Sequence, residues 1–226
     1  MTEVEAAGGR TIGRLEDRRW IGEERAAQLA ELAARVRELT EAVVLTEVDS
    51  AEIAAVAEQV AALTARLNAA RDQYPPMAAE GTNGMVRQLA SPVTGRINPI
   101  APPVTVTVCE GGVVRGEFTL NTVYEGPPGF VHGGVTALVL DQMLGLAAAS
   151  GGVPGLTATL DMCYRRPTPY GVPLTVEARV TRTEGRKTFA EAHVLAPGGK
   201  VTVEATAMFV RPLFQLPQGT GASERN

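Results

Sequence analysis

The chain has 226 residues, of which 45% are apolar and 20% are charged, and its formal net charge is −4. This composition is typical of globular proteins and argues against a wholly disordered chain. Aromatic residues make up only 4%, so base-stacking surfaces are scarce and nucleic-acid binding is disfavoured. Cys109 and Cys163 are 54 positions apart and accompany only two histidines, which argues against a zinc cluster or a disulfide framework. No metal is expected, and both cysteines are predicted to be small core residues.

The longest apolar run, 135–149, is interrupted by Asp141 and Gln142 and is shorter than the ~20 residues that a membrane span needs. Residues 1–19 carry mixed charge and contain no apolar stretch, so a signal peptide is not expected. The sequence therefore predicts a cytoplasmic protein without a membrane span.

Charge divides the chain near Tyr74. Residues 1–74 hold 9 basic and 14 acidic side chains, a net of −5, while residues 75–226 hold 12 and 11, a net of +1, which together give −4. The sequence predicts a helical extension, a linker rich in proline and glycine, a folded domain and a flexible tail, at 1–74, 75–97, 98–212 and 213–226.

The extension has helical periodicity. Two apolar stripes step by three and four residues, and Asp49 with Glu52 matches a capping box between them. We expect a hairpin of helices at about 17–47 and 50–72, acting as an oligomerisation or packing appendage or as a lid over a ligand site. The stripes are Leu29, Leu32, Val36, Leu39 and Val43, then Ile53, Val56, Val60, Leu63 and Leu67.

From Val104 onward β patterns surround one apolar helix at 135–150. The order β-β-α-β-β-β-β fits an α+β fold in which an antiparallel sheet wraps around a central helix. The helix is apolar on almost every side, which predicts burial on most faces. The strands are expected at 104–109, 113–123, 157–166, 172–183, 186–196 and 201–211.

A loop ending in His132-Gly133-Gly134 runs directly into this helix. The Gly133 and Gly134 amides are then unpaired first-turn donors at the positive end of the helix dipole, where they suit an oxygen that develops negative charge. Asp141 is the only ionisable group of the helix and is a candidate base or nucleophile. It lies roughly 10–12 Å along the helix from the two glycines, so one carbonyl cannot contact both groups of one helix. A shared site therefore requires a two-fold-related second subunit.

These residues resemble the hotdog-fold acyl-CoA thioesterases of the PaaI type. The resemblance rests on His132-Gly133-Gly134, Asp141 nine residues after the histidine, Thr157 twenty-five after it, and the stretch Tyr164-Arg-Arg-Pro167, and it covers roughly residues 98–212. A Gly185-Arg186 turn also matches. The resemblance implies a hotdog domain assembled as a homodimer or a dimer of dimers with composite active sites.

The resemblance also implies roles. Asp141 would be general base or nucleophile on the thioester, the glycine amides would polarise its carbonyl, His132 would help to position it, and Thr157 would orient the attacking water. Several relatives carry an Asn six residues before the histidine, where this chain has Gly126. Asn98 or Asn121 is a possible substitute, or the site is electrostatically weaker.

Coenzyme A enters as part of the acyl-CoA substrate, and no separate cofactor is expected. Six of the twelve basic residues after Tyr74 fall within 23 positions, and arginines at strand ends suit bidentate phosphate binding. Arg165, Arg166 and Arg186 are the predicted contacts.

Two alternatives to a thioesterase remain. A hydroxyacyl dehydratase would have its proline/glycine loop after the histidine, whereas Gly126–Gly129 precedes His132 here. A non-catalytic acyl-CoA-binding or scaffold protein would use the same pocket without turnover. Asp141 and Thr157 argue against the latter, while Gly126 leaves it open.

Overall fold

A computed structural model describes residues 18–79, 86–102, 104–151 and 153–212. The predictions made for residues 1–17, for part of the linker at 80–85 and for the tail at 213–226 lie outside these ranges. The helices are α1 (Glu23–Leu45), α2 (Ser50–Asn68) and α3 (Gly133–Ser150). The strands are β1 (Ala78–Ala79), β2 (Val86–Arg87), β3 (Thr105–Val108), β4 (Val114–Thr119), β5 (Leu156–Tyr164), β6 (Pro173–Glu184), β7 (Lys187–Ala196) and β8 (Lys200–Val210).

Six of these strands form one antiparallel sheet in the spatial order β3-β4-β6-β7-β8-β5. Turns of glycines with positive φ, such as Gly185 and Gly199, connect the long strands β6, β7 and β8. β5 follows α3 in the chain and pairs only with β8 in this sheet, so it forms an edge. The predicted α+β hotdog architecture is confirmed.

The core lies between α3 and the inner face of the sheet. Strand β4 alternates strictly between buried and exposed residues, as expected for a sheet with one face on the core. The buried side chains of α3 are Thr136, Val139, Leu140, Met143, Leu144, Ala147 and Ala148. Burial on most faces was predicted, but Gly134 and Leu138 are exposed, the latter by 41%. One face of α3 is therefore not covered by the described part of the chain.

By length and composition alone α3 would suffice to span a membrane, with 18 residues and a mean hydropathy of 1.3. It is instead the core helix, and seven of its side chains are buried against the sheet. Its apolar character follows from that position.

Helix α1 and the linker pack on the domain. Ala26 of α1 forms a small buried cluster with Ala78 and Leu89, while Val93 of the linker joins the main core. Arg37 of α1 donates a hydrogen bond to the Asn98 carbonyl at 3.1 Å. The described part of the linker is thus an ordered cover over the domain.

Helix α2 differs, because none of its side chains is buried in the described chain. Its apolar stripe is therefore not buried against α1 in the described chain. Cys109 and Cys163 are also exposed, contrary to the core prediction. Both belong to the sheet edges, one following β3 and the other on β5, where neighbours are few.

Candidate active site

Asp141 and Thr157 come together on the side of α3 that faces β5. The Thr157 hydroxyl donates a hydrogen bond to Asp141 Oδ1 at 3.0 Å. Asp141 is half-buried, since the apolar residues of α3 surround it and β5 covers one side. The structure therefore places two of the predicted catalytic residues in direct contact.

A β-bulge aims Thr157 at the helix. Thr157 pairs with Phe209 of β8, but Thr159 pairs with the adjacent Met208, which makes Ala158 an extra residue. In a regular strand, Thr157 would point away from the face that carries Leu160. The bulge shifts the alternation and turns Thr157 towards α3.

His132 is the N-cap of α3. Its Nδ1 accepts a hydrogen bond from the Gly134 amide at 3.0 Å. The prediction of an unpaired amide is thus wrong for Gly134, whose donor is already engaged by the cap. A neutral imidazole that accepts at Nδ1 carries its proton on Nε2, and this tautomer is assigned from the hydrogen bond.

The Gly133 amide has no hydrogen-bond partner in the described part of the chain, as expected for the first residue of a helix. Its carbonyl accepts from the Tyr164 hydroxyl at 3.1 Å and from Thr136 Oγ1 at 2.8 Å. The peptide between Gly133 and Gly134 is thereby fixed at both ends. The Tyr164 ring also packs so closely that a Cβ on Gly133 would lie 3.1 Å from it.

Tyr164 is a site residue that the sequence reasoning used only as part of a motif. A signal for it was available, because Leu160, Met162 and Tyr164 alternate with period 2 and face the same side of β5. The apolar members of that series pack against the core, so the tyrosine is directed at α3 as well.

The backbone of His132 is held from the opposite side. Its amide donates to the Tyr124 carbonyl at 2.8 Å, and α1 packs against the turn containing Tyr124. Burial raises the pKa of the Tyr124 phenol above its ordinary value of 10.0, and the Arg37 guanidinium partly opposes this shift. Tyr124 is therefore a neutral, half-buried support for the loop.

Gly126 is present for a steric reason. A Cβ at this position would lie 2.7 Å from His132 Cα, closer than real Cβ contacts come. The chain therefore cannot place an asparagine here, as the family resemblance implies, without moving His132.

Neither predicted substitute has an unengaged amide oxygen. Asn98 donates from Nδ2 to the Ala90 carbonyl at 3.1 Å, and its Oδ1 accepts from the Ile100 amide at 3.2 Å. Asn121 caps a short helical turn, with Oδ1 accepting from the Val123 amide at 3.2 Å. The side chain of Asn98 stabilises its own loop, in contrast to the predicted contact with substrate.

The three predicted phosphate contacts do not lie together in one chain. The amides of Arg165 and Arg166 both donate to the Thr202 carbonyl near the start of β8, whereas Arg186 donates two hydrogen bonds to the Arg211 carbonyl beyond its end. Nine residues of strand separate these points by roughly 30 Å.

Each arginine also has a partner. Arg165 donates to Glu204 at 2.8 Å, and this hydrogen bond is the main reason why the pKa of its guanidinium is raised above the ordinary value. Arg166 donates to the Val201 carbonyl at 2.8 Å.

The site thus consists of two halves in one chain. His132 and Gly133 lie at the start of α3 beside Tyr164, whereas Asp141 lies beside Thr157. The halves are about 12 Å apart along α3. One reacting carbonyl cannot be near both halves of the same chain.

Comparison with known proteins identifies the family. The family model of the thioesterase superfamily matches residues 128–203. A solved crystal structure of a thioesterase superfamily protein has a TM-score of 0.72 and 35% sequence identity, and the match covers 80% of this chain and 94% of that chain. Since residues 98–212 are only 115 of 226, this likeness extends into the part before Asn98.

Among curated proteins, the acyl-coenzyme A thioesterase THEM4 of Xenopus laevis is 38% identical over 90 residues, which are 38% of this chain and 40% of that protein. THEM4 of Mus musculus is 38% identical over 88 residues, 38% of each chain. The chain therefore matches less than half the length of these curated relatives. Together with the fold and the motif, the solved structure confirms the predicted family, and the chain belongs to the thioesterase superfamily.

Proposed function

We propose that this chain hydrolyses an acyl-CoA thioester to the free acid and CoA. The observation that carries the proposal is the hydrogen bond from Thr157 to Asp141, the only carboxylate of an otherwise apolar helix. The curated relatives described above are named acyl-coenzyme A thioesterases, which supports the same reaction.

Asp141 acts on the thioester in one of two ways. As general base, its carboxylate takes a proton from water while the water oxygen bonds to the carbonyl carbon. The C–S bond then breaks, and the CoA sulfur leaves with the electron pair and is protonated. As nucleophile, a carboxylate oxygen bonds to the carbonyl carbon itself, the C–S bond breaks and the CoA thiolate leaves with the electron pair. Water then hydrolyses the resulting anhydride, which releases the free acid and regenerates the Asp141 carboxylate.

Thr157 serves both routes. Its hydroxyl proton is directed to Asp141 Oδ1 at 3.0 Å, which fixes the carboxylate and leaves Oδ2 for the reaction. The lone pairs of the hydroxyl oxygen are then available to accept a hydrogen bond from the attacking water. Orientation of that water is the predicted role of this residue.

The carbonyl oxygen is polarised at the start of α3. The donors are the Gly133 amide and the Nε2–H of His132, whose direction is fixed because Nδ1 is bonded to Gly134. Gly134 acts indirectly, by holding the imidazole. This arrangement needs no amide from an asparagine at position 126.

Two copies of the chain complete each site. β5 is an edge strand whose outer side has no strand partner among the described residues, so it can pair with β5 of a second copy in antiparallel orientation. The register that completes the site is the one with Thr157 opposite Tyr164 of that copy. Asp141 of one subunit then meets His132 and Gly133 of the other. A homodimer, or a dimer of such dimers, follows from this geometry.

The same pairing assembles the arginines. Arg165 and Arg166 lie at the Tyr164 end of β5, whereas Arg186 lies near the Thr157 end, where β8 finishes. In the dimer these two ends face each other, so all three guanidinium groups can contact the phosphates of one CoA. A single subunit could not supply them together.

Release of CoA thiol from acyl-CoA esters of different chain lengths tests the proposal. We expect turnover by the full chain and a loss of roughly 10²–10⁴-fold in Asp141→Asn. Asp72→Asn, an exposed aspartate paired with Arg19 on the extension, is the matched control and should keep full activity. Undiminished hydrolysis by purified, folded Asp141→Asn would contradict the proposal.

The non-catalytic alternative gives another result in this assay. A binding protein would retain acyl-CoA and release no thiol at any chain length, with or without Asp141. Equilibrium binding measured beside turnover separates the two functions.

A further inference from the structure

Helix α2 has a regular apolar seam without a partner in the described chain. None of its 19 side chains is buried, and the apolar residues Ile53, Leu63 and Leu67 are 50%, 51% and 60% exposed. In proteins most of the stability of a helix comes from the packing of its apolar face rather than from helix propensity. The seam is therefore suited to burial against another surface.

The spacing of the seam is that of a coiled coil. Ile53, Val56, Val60, Leu63 and Leu67 follow the alternating steps of three and four that define the a and d positions of a heptad. The remaining surface of α2 is rich in alanine, which permits close approach of a second helix. This regularity indicates a helix as the occupant rather than an irregular loop or a flat surface.

The charges indicate which helix it is. Beside the seam, Glu52 and Arg66 occupy g positions near the two ends of α2, and neither has an ion-pair partner within the described chain. In an antiparallel pair of identical helices, Ile53 packs against Leu63 of the other copy and Val56 against Val60. This register places Glu52 of each copy opposite Arg66 of the other.

A parallel pair offers no such match. There Glu52 would face Ala57 of the second copy, and Gln59 would face Thr64. Both opposite-charge contacts are lost, so the charge pattern favours the antiparallel orientation.

We propose that α2 is a self-association helix, which binds α2 of a second copy of this chain as an antiparallel coiled coil with a two-fold axis near Glu58. This contact is separate from the pairing of β5 described above and does not depend on the proposed hydrolysis. It assigns a role to the extension that the active site does not require.

Site-directed cross-linking of the full chain tests the register. In a background with Cys109→Ser and Cys163→Ser, both of which remove exposed thiols, single cysteines are introduced in α2 and treated with a short bismaleimide. Gln59→Cys lies next to its own copy across the axis and should give a covalent dimer. Glu58→Cys points away from the seam and is the matched control.

Ile53→Cys distinguishes the orientations. In the antiparallel pair the two introduced thiols are about 15 Å apart, so little cross-linking is expected. In a parallel pair they would be adjacent. Strong cross-linking of Ile53→Cys, or none of Gln59→Cys, would overturn the proposal, the second result indicating that α2 packs on its own chain or on a different protein.

Charge reversal gives an independent check. In the Gln59→Cys protein, Glu52→Arg or Arg66→Glu alone creates two like-charge contacts and should slow cross-linking roughly fivefold at low salt. The two reversals together restore opposite charges and should restore the rate. Equal rates for all four proteins would contradict the assigned register, whatever the outcome of the thiol-release assay.

Discussion

The Thr157 hydroxyl lies 3.0 Å from Asp141 Oδ1 because an extra residue interrupts the alternation of β5. Ala158 is that residue, and without the bulge the hydroxyl would point to the other face of the sheet. The contact therefore links a local irregularity of an edge strand to the chemistry of the core helix. It also limits which substitutions Thr157 can tolerate.

Thr157→Val should lower kcat/KM by about ten- to a hundredfold, because valine matches the shape of threonine but removes the hydrogen bond to a charged group. Thr157→Ser retains the hydroxyl and should recover most of the activity. Thiol release and thermal unfolding, measured on both variants, check the prediction. Equal kcat/KM for the valine and serine variants would show that the hydroxyl has no part in catalysis.

The sequence was sufficient to predict the strands of the sheet and helix α3, because turns of glycine and proline separate strongly patterned segments. The family motif also named Asp141 and Thr157 together, and the structure brings these two side chains into contact, whereas His132 lies at the start of the helix. The bulge at Ala158 could not be predicted, because period-2 alternation predicts an outward Thr157 and no residue type marks the interruption.

Two other differences between prediction and structure also depend on geometry that the sequence does not specify. Whether the Gly134 amide is unpaired or hydrogen-bonded depends on the rotamer of His132, and a sequence pattern does not specify that rotamer. The stripe of α2 is visible in the sequence, but a stripe does not identify its partner. The sequence left open what covers the stripe, and the described chain leaves α2 uncovered.

Gly126→Asn should reduce activity, although it introduces the asparagine that the family resemblance implies at this position. The added Cβ would meet His132 Cα at 2.7 Å and displace the imidazole. Overpacking of this kind costs about 1–3 kcal/mol of folding free energy, so the unfolding temperature should fall along with kcat/KM.

Gly129→Asn is the control from the same loop. Its Cβ would have no atom within 4 Å, and asparagine tolerates the positive φ of 86° there better than most residues. It should remain close to the original protein in both measurements. Higher kcat/KM in Gly126→Asn than in the original protein would contradict the steric explanation.

Asn98→Ala should destabilise the fold and leave KM unchanged. The side chain makes two hydrogen bonds within its half-buried loop, and loss of such bonds costs about 1–3 kcal/mol. Chemical unfolding and steady-state kinetics of the variant are to be compared. A raised KM at unaltered stability would return Asn98 to the substrate contacts.

Tyr164→Phe should lower kcat about two- to tenfold, with little change in KM, because the lost hydrogen bond orients the Gly133 carbonyl and contributes only modest energy. Thr136 Oγ1 still donates to the same carbonyl at 2.8 Å, which limits the effect. Tyr74→Phe, which changes an exposed hydroxyl on the extension beside Gln73, serves as the matched control. A change in KM alone would assign Tyr164 to substrate binding rather than to positioning.

Mixed dimers should test whether the site is composite. Asp141→Asn and His132→Ala each damage one half of the site, so each protein alone should be nearly inactive. Subunits unfolded together in equal amounts and then refolded should recover about a quarter of the original activity, because half of the dimers are mixed and each mixed dimer has one intact site of two. Asp141→Asn refolded with itself is the control. If all the catalytic groups of a site came from one chain, every site in the mixture would still carry one defect and activity would not rise.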